Sequence, residues 1–216
     1  MNHEIQFFPE THQYLVDGKE VPSVTTVLNY MSDVEYRTIP QSILDQAARR
    51  GTLVHEYTEL LDYDALPDEI ECEVQGYIKA YADFLRDYKP DWLLIEAPVY
   101  SESGFVGTVD RFGIIDGKGC VLDIKTVSSP TKMQKFTVSA QTQAYEIAVE
   151  ETYQYAVEAR YALYLTSDGE YNLVDLCEYD NKYGYASYLT FCECLELYKN
   201  IQQLKELKPI RKGKKE

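Results

Sequence analysis

The chain is expected to fold as a mixed α/β layer structure, and three observations predict it. Two apolar runs, Phe105–Ile115 and Cys120–Thr126, flank Asp116-Gly117, a dipeptide that suits a two-residue type I′ hairpin. Tyr77, Tyr81, Phe84 and Tyr88 recur at three- and four-residue spacing, which marks an amphipathic helix. Ser129-Pro130 then opens a helix to about Thr152, and a further strand, Val157–Thr166, follows it. The core order is helix, three strands, helix, strand (αβββαβ), with additions at both ends.

Taken in order, residues 5–21 predict a small β-structure turning at Asp17-Gly18. Pro22-Ser23 opens a short helix through Tyr30, with Ser23 as N-cap. Residues 31–41 read as irregular. A helix over Ser42–Asp62 carries Leu44, Ala47, Ala48, Leu53 and Val54 at small or apolar positions, and a second runs from Pro67 to Tyr88. Trp92–Tyr100 is the first strand of the central sheet. Tyr171–Glu178 is a late strand, and Lys182–Leu207 a final helix stopped by Pro209. No repeat and no linker divides the chain, so a single domain is expected. It comprises an N-terminal appendage (1–41), a core (42–166), a strand and C-terminal helix (167–208) and a basic tail (209–216).

The 21 basic and 36 acidic residues give a net charge of −15, which excludes whole-surface attraction to a polyanion. Positive charge is local, at Arg49-Arg50, Lys132, Lys135 and the tail from Arg211 to Lys215. Five irregularly spaced cysteines form no disulfide framework and read as reduced thiols. No apolar run approaches the roughly 18 residues of a membrane span, and the N-terminus lacks the pattern of a signal peptide. A cytoplasmic protein without membrane contact is therefore expected.

The hairpin carries the chemistry. A two-residue turn pairs Ile115 with Lys118 and, counting outward, Asp110 with Asp123. Facing side chains on one side of an antiparallel pair have Cβ atoms roughly 4.5–5.5 Å apart, where two carboxylates repel. A divalent cation reverses that sign. Lys125, two residues beyond Asp123, projects from the same face. Two acids and a lysine in an apolar strand setting predict a metal-dependent hydrolytic site. A longer loop or a bulge would move one acid to the other face. Glu96 ends an apolar run and is placed at a strand rim. His55 follows Gly51 by four on one helix face, the glycine permitting close approach to the sheet, and Gln141 and Tyr145 are likewise four apart. Taken alone, the histidine reads as a satisfied core or surface group, Gln141 and Tyr145 as helix packing, and Glu96 as a surface charge.

Together these residues resemble the PD-(D/E)XK nucleases, in particular their RecB-like and phage exonuclease branch. The family's Gly-x-x-x-His is similar to Gly51–His55, its strand glutamate to Glu96, and its Gly-x-x-Asp to Gly107–Asp110. Its Asp-x-Lys is similar to Asp123–Lys125, followed by Thr126, and its Gln-x-x-x-Tyr to Gln141–Tyr145. The opening from His12 to Thr26 also resembles prophage members. The likeness spans roughly residues 5–165; each motif is weak alone, and the ordered series is specific.

The resemblance implies a restriction-endonuclease-like core and a Mg²⁺- or Mn²⁺-dependent deoxyribonuclease, of prophage exonuclease type, acting in recombination or repair. It implies that Asp110, Asp123, the Ile124 carbonyl and His55 bind the metal, with the imidazole favouring Mn²⁺. Lys125 would position or polarise water. Glu96 would bind a second metal or orient Lys125. Gln141, Tyr145 and Thr126 would contact the substrate backbone or brace the site. Linear DNA, single- or double-stranded, a single-strand annealing protein and a homo-oligomer are the partners it implies. The cysteines lack the pattern of iron–sulfur relatives, so no cluster is expected. Two other functions compete: an acidic DNA mimic or other non-catalytic binding protein, which the net charge suits, and a glycosidase, whose retaining carboxyls stand about 5–5.5 Å apart. A mimic displays its acids outward, and a glycosidase leaves Lys125 and His55 without a role. The 20 tyrosines are read as core lining, and none is given a nucleic-acid role.

Overall fold

The computed structural model describes residues 3–127 and 129–207, so the tail 209–216 and the Pro209 helix stop lie outside the described residues. Two sheets organise the chain. The smaller contains β1 (Ile5–Phe8), β2 (Gln13–Val16) and β3 (Lys19–Val21), all antiparallel. Asp17 and Gly18 both take positive φ, 50° and 75°, as a type I′ turn requires. Tyr14 and Val16 bury against Val106 of the main sheet.

The main sheet has the order β4 (Asp91–Ser101), β5 (Phe105–Ile115), β6 (Lys118–Lys125), β7 (Ala159–Leu165), β8 (Tyr171–Asp175). It is mixed: β6 and β7 run parallel and every other neighbour runs antiparallel. The parallel pair is joined through α4 (Lys132–Tyr153), as parallel strands require a crossover. On one face α1 (Val24–Tyr36), α4 and α6 (Ser187–Glu206) bury Val24, Val27, Ala144, Ala148 and Phe191 against Val99, Val109 and Val121. On the other, α2 (Gln41–Asp62) and α3 (Gln75–Tyr88) bury Val54, Ile78, Tyr81 and Phe84 against Cys120, Leu122 and Ile124. The short α5 (Leu176–Tyr183) covers the β7 end through Leu176. Among the described residues no helix is long and apolar enough to cross a membrane.

Several boundaries differ from expectation, each for a local reason. Helix α1 continues to Tyr36 because Met31 packs into the core and Glu35 and Tyr36 bond to Thr131 and Gln134. Helix α3 begins at Gln75 rather than Pro67; the excluded stretch places Glu69 and Glu73 four apart, a like-charge repulsion in a helix. Helix α4 is capped by Thr131, not Ser129, through a reciprocal capping box with Gln134. Strand β8 ends at Asp175 because that side chain caps α5, so Leu176–Glu178, expected as strand, opens a helix, and Gly184, at φ 61°, interrupts the helix expected from Lys182.

Asp116 and Gly117 adopt φ 50° and 77°, and β5 pairs with β6 from Ile115↔Lys118 through Arg111↔Leu122. The turn, and the register as far as Arg111↔Leu122, are those the sequence predicts, but the expected pair of Asp110 with Asp123 is not part of the ladder. The ladder stops there. Beyond it Asp123 and Ile124 pair with Ala162 and Leu163 of β7, and the strands β5 and β6 part at Asp110.

Candidate metal centre

The site forms where the pleat of two strands changes hand. Same-face residues of a regular strand lie two apart. Here Val109 and Phe112 both face the α1–α4–α6 layer, and so do Leu94 and Ala97 on β4. Each three-residue step straddles an acid: Asp110 on β5 and Glu96 on β4. Glu96 sits between the pairs Ile95↔Arg111 and Ala97↔Val109, at φ 43°. A non-glycine residue in that region is strained by roughly 1–3 kcal/mol, and such irregularities re-aim side chains. Glu96 is therefore mid-strand and half-buried rather than at a rim.

The re-aimed acids meet His55 of α2. His55 Nδ1 lies 3.0 Å from Glu96 Oε1, and Nε2 lies 3.8 Å from Asp110 Oδ2. One ligand atom from each of the three residues lies within 4.8 Å of the others. Asp110 also accepts a 2.7 Å hydrogen bond from the Ile124 amide, across the gap left by the interrupted ladder. Lys125 Nζ stands 2.6 Å from Asp123 Oδ2. Both Asp123 oxygens are buried without a hydrogen-bond donor in good geometry, so this ion contact is their one charged support. The Asp123 carboxylate stands apart from the three-residue group and adjoins it through Asp110.

Arg111, which sequence reasoning passed over, organises the far side. It is fully buried. Its Nε donates to Asp62 Oδ2 at 2.6 Å, Nη1 to Glu96 Oε1 at 2.9 Å, and Nη2 to Thr58 Oγ1 at 3.2 Å. Tyr81 donates to both Asp62 oxygens. The signal was available: His55, Thr58 and Asp62 recur at helical spacing on one face of α2, and an arginine inside an apolar strand demands an acidic partner.

The charges pair off with one acid remaining. Arg111 takes Asp62, His55 takes Glu96 and Lys125 takes Asp123. The Asp110 carboxyl is raised to about 7: burial is the largest cause, the His55 charge opposes it, and the charges of Asp123 and Glu96 add to it. Burial disfavours the His55 imidazolium, but the Asp110 charge and the bond to Glu96 prevail and hold it at about 9. Burial opposes ionisation of Glu96 too, yet His55 and Arg111 hold it below the usual carboxylate value. Lys125 is raised, because Asp123 and Asp110 outweigh burial. Protons on His55 and Asp110 thus occupy a cluster rich in oxygen donors.

The donor set fits a divalent cation. It supplies carboxylate oxygens and one imidazole, groups that can hold a metal ion. Asp123 Oδ1, buried and without a partner, is the independent observation, since buried acceptors without donors are uncommon.

The remaining predicted residues are also placed. Gln141 Nε2 donates to the Tyr145 hydroxyl at 3.3 Å, both groups being buried on α4, and Tyr145 is raised first by burial and then by the Asp110 charge. A Cβ on Gly107 would meet Tyr145 Cε1 at 2.8 Å, so this glycine admits the ring beside the acids. Gly51 does not perform the close approach expected of it; a Cβ there would meet nothing within 4 Å. Thr126 follows β6 directly, half-buried and outside the ladder. All five cysteines are free thiols. No protein-family model matches the chain, and no curated protein matches it.

Proposed function

We propose that the chain is a metal-dependent deoxyribonuclease that hydrolyses phosphodiester bonds, working as a prophage-type exonuclease in recombination or repair, on a restriction-endonuclease-like core. The observation that carries this reading is the convergence of His55, Glu96 and Asp110 beside Asp123, whose Oδ2 is held by Lys125 and whose Oδ1 is buried without a partner. Asp110, Asp123, His55 and the Ile124 carbonyl would hold Mg²⁺ or Mn²⁺. When bound, the ion supplies Lewis acidity toward the scissile phosphate and toward water.

The protein groups have separate tasks. Lys125 offsets phosphate charge and orients water, and Asp123 holds its ammonium in place. Glu96 fixes the His55 ring through Nδ1, a second role in place of the expected contact with Lys125. Tyr145 and Gln141 brace the acids from α4. An acidic mimic is less well supported, because Asp110 and Asp123 are buried instead of displayed.

The test uses end-labelled linear, nicked and closed circular DNA with Mn²⁺ or Mg²⁺. Wild type should degrade the linear form and spare closed circles. Asp123→Asn and Lys125→Ala should each lose cleavage by at least about 100-fold, as losses of electrostatic stabilisation do. Wild-type rates in Asp123→Asn, or full activity in EDTA, would refute the assignment.

A further inference from the structure

We infer that the surface shared by α4 and α5, carrying Lys132, Lys135, Phe136, Lys182 and Tyr183, binds a single strand of nucleic acid running to the metal centre. The inference rests on the nuclease reading for its destination, and on the surface itself for its chemistry.

The surface departs from the rest of the molecule in charge. The chain carries −15 overall, yet three lysines converge here. Among the described residues none of the three forms an ion pair; each rests on an aromatic ring instead. Lys132 Nζ lies 4.3 Å from the Tyr183 ring centre and 5.3 Å from that of Phe136. Lys182 lies 5.6 Å from Tyr183, and Lys135 lies 6.0 Å from Tyr179. Lys132 and Lys182 are exposed, and Tyr183 retains 45% of its surface in water.

The rings form a continuous patch. Tyr179 and Tyr183 have centres 4.7 Å apart, and Phe136 lies 5.4 Å from Tyr179 and 6.0 Å from Tyr183. Tyr183 is the exposed ring of the three, with Phe136 half-buried and Tyr179 buried beneath it, and an exposed aromatic face beside unpaired cations is an element by which proteins hold single strands without regard to sequence. A base stacks on the ring while the ammonium moves from the ring face to a phosphate. Stacking on a base contributes more than an exposed cation–π contact, so the exchange favours the bound strand.

The patch also points the right way. Lys132 follows Lys125 by seven residues, which limits their separation to about 25 Å of extended chain. Tyr164, buried opposite Lys125 on β7, packs in one cluster with Val138 of α4 and Leu176 of α5. The two helices that carry the rings therefore pack on the strand beside Lys125. By contrast, the cavity of about 440 Å³ at Tyr100 and Tyr153 is lined by Glu102 and Glu151 and repels a polyanion.

The experiment is fluorescence anisotropy of a labelled oligothymidylate with the full chain in EDTA, where cleavage chemistry is silent. Wild type should bind it. Tyr183→Leu should weaken binding about tenfold with an unchanged salt slope. Lys132→Gln with Lys135→Gln should lower the slope of log K against log salt by about 1.4, or 0.7 per lost phosphate contact. Circular dichroism should show all variants folded, because the altered side chains lie on the surface or its edge. No binding by wild type, unchanged affinity in both variants, or equal competition by polyglutamate would overturn the inference. Intact oligonucleotide binding with no metal-dependent cleavage would instead sink the nuclease reading and leave this surface standing.

Discussion

At the scale of single residues, the centre is a problem in charge matching. Four buried or half-buried acids face three cations, and Asp110 is the one without a dedicated partner. A divalent ion must displace the protons that His55 and Asp110 carry near neutrality, so binding should release protons. Calorimetry of Mn²⁺ binding at pH 7.5, repeated in buffers of different ionisation enthalpy, should show about one proton released per ion, the sum of fractional contributions from groups near 7 and 9. A buffer-independent enthalpy would contradict the arrangement. Arg111 makes a second case. Arg111→Leu leaves Asp62 and Glu96 facing each other without their shared cation, and breaking a buried pair costs about 3–5 kcal/mol. Urea unfolding in EDTA should show that loss; a cost below about 1 kcal/mol would mean that Arg111 does not hold the two acids.

At the scale of elements, the hairpin was legible and the irregularity beside it was not. Asp116-Gly117 announces its turn because both residues tolerate positive φ, and the turn fixes the register of everything down to Arg111. The three-residue step at Glu96 and Asp110 carries no comparable signal. It arises from pairing across β4, and an alternation count in one strand cannot reveal it. Glu96 consequently looked like a rim charge when it is a mid-strand group bonded to His55 and Arg111. Gly107 shows the opposite case, a motif glycine whose reason became visible only against α4. Gly107→Ala should drive a methyl into the Tyr145 ring and cost about 1–3 kcal/mol of stability. Tyr145→Leu in the same chain should recover most of it, as read from paired thermal melts. Failure of the double variant to recover would place the strain elsewhere.

At the scale of the whole molecule, composition bounded the answer without reaching it. The net charge of −15 argued against general attraction to polyanions, Lys132 and Lys135 stood out as local positive charge, and Lys182 joins them only through the packing of Tyr183 on α5 against α4. The layered architecture followed from the order of elements. The break between α5 and α6 did not, since an uninterrupted helical pattern outweighed one glycine. Stability against pH tests the centre in the intact chain. Asp110 and His55 are both raised, from 3.8 to about 7 and from 6.5 to about 9. A raised group contributes its stability in full below the unfolded value and loses it as pH passes the folded value. In EDTA the melting temperature should therefore decline between pH 4 and 9. Asp110→Asn should remove the part of that decline below about 7 and weaken the part above it, since the Asp110 charge helps to raise His55, and Mn²⁺ should restore stability most strongly at the alkaline end. A flat profile in EDTA would show that neither group is held as described.

One main-chain proton makes these events observable from within. The Ile124 N–H is bonded to the Asp110 carboxylate at 2.7 Å. Its nuclear resonance should move once with the titration of that single acid. It should move again when a diamagnetic ion such as Mg²⁺ arrives, and its exchange with solvent should quicken in Asp110→Ala while the amides of Val121 and Leu122 stay slow. The fork in the sheet thus contains its own spectroscopic reporter, one atom from the chemistry, with no label to attach.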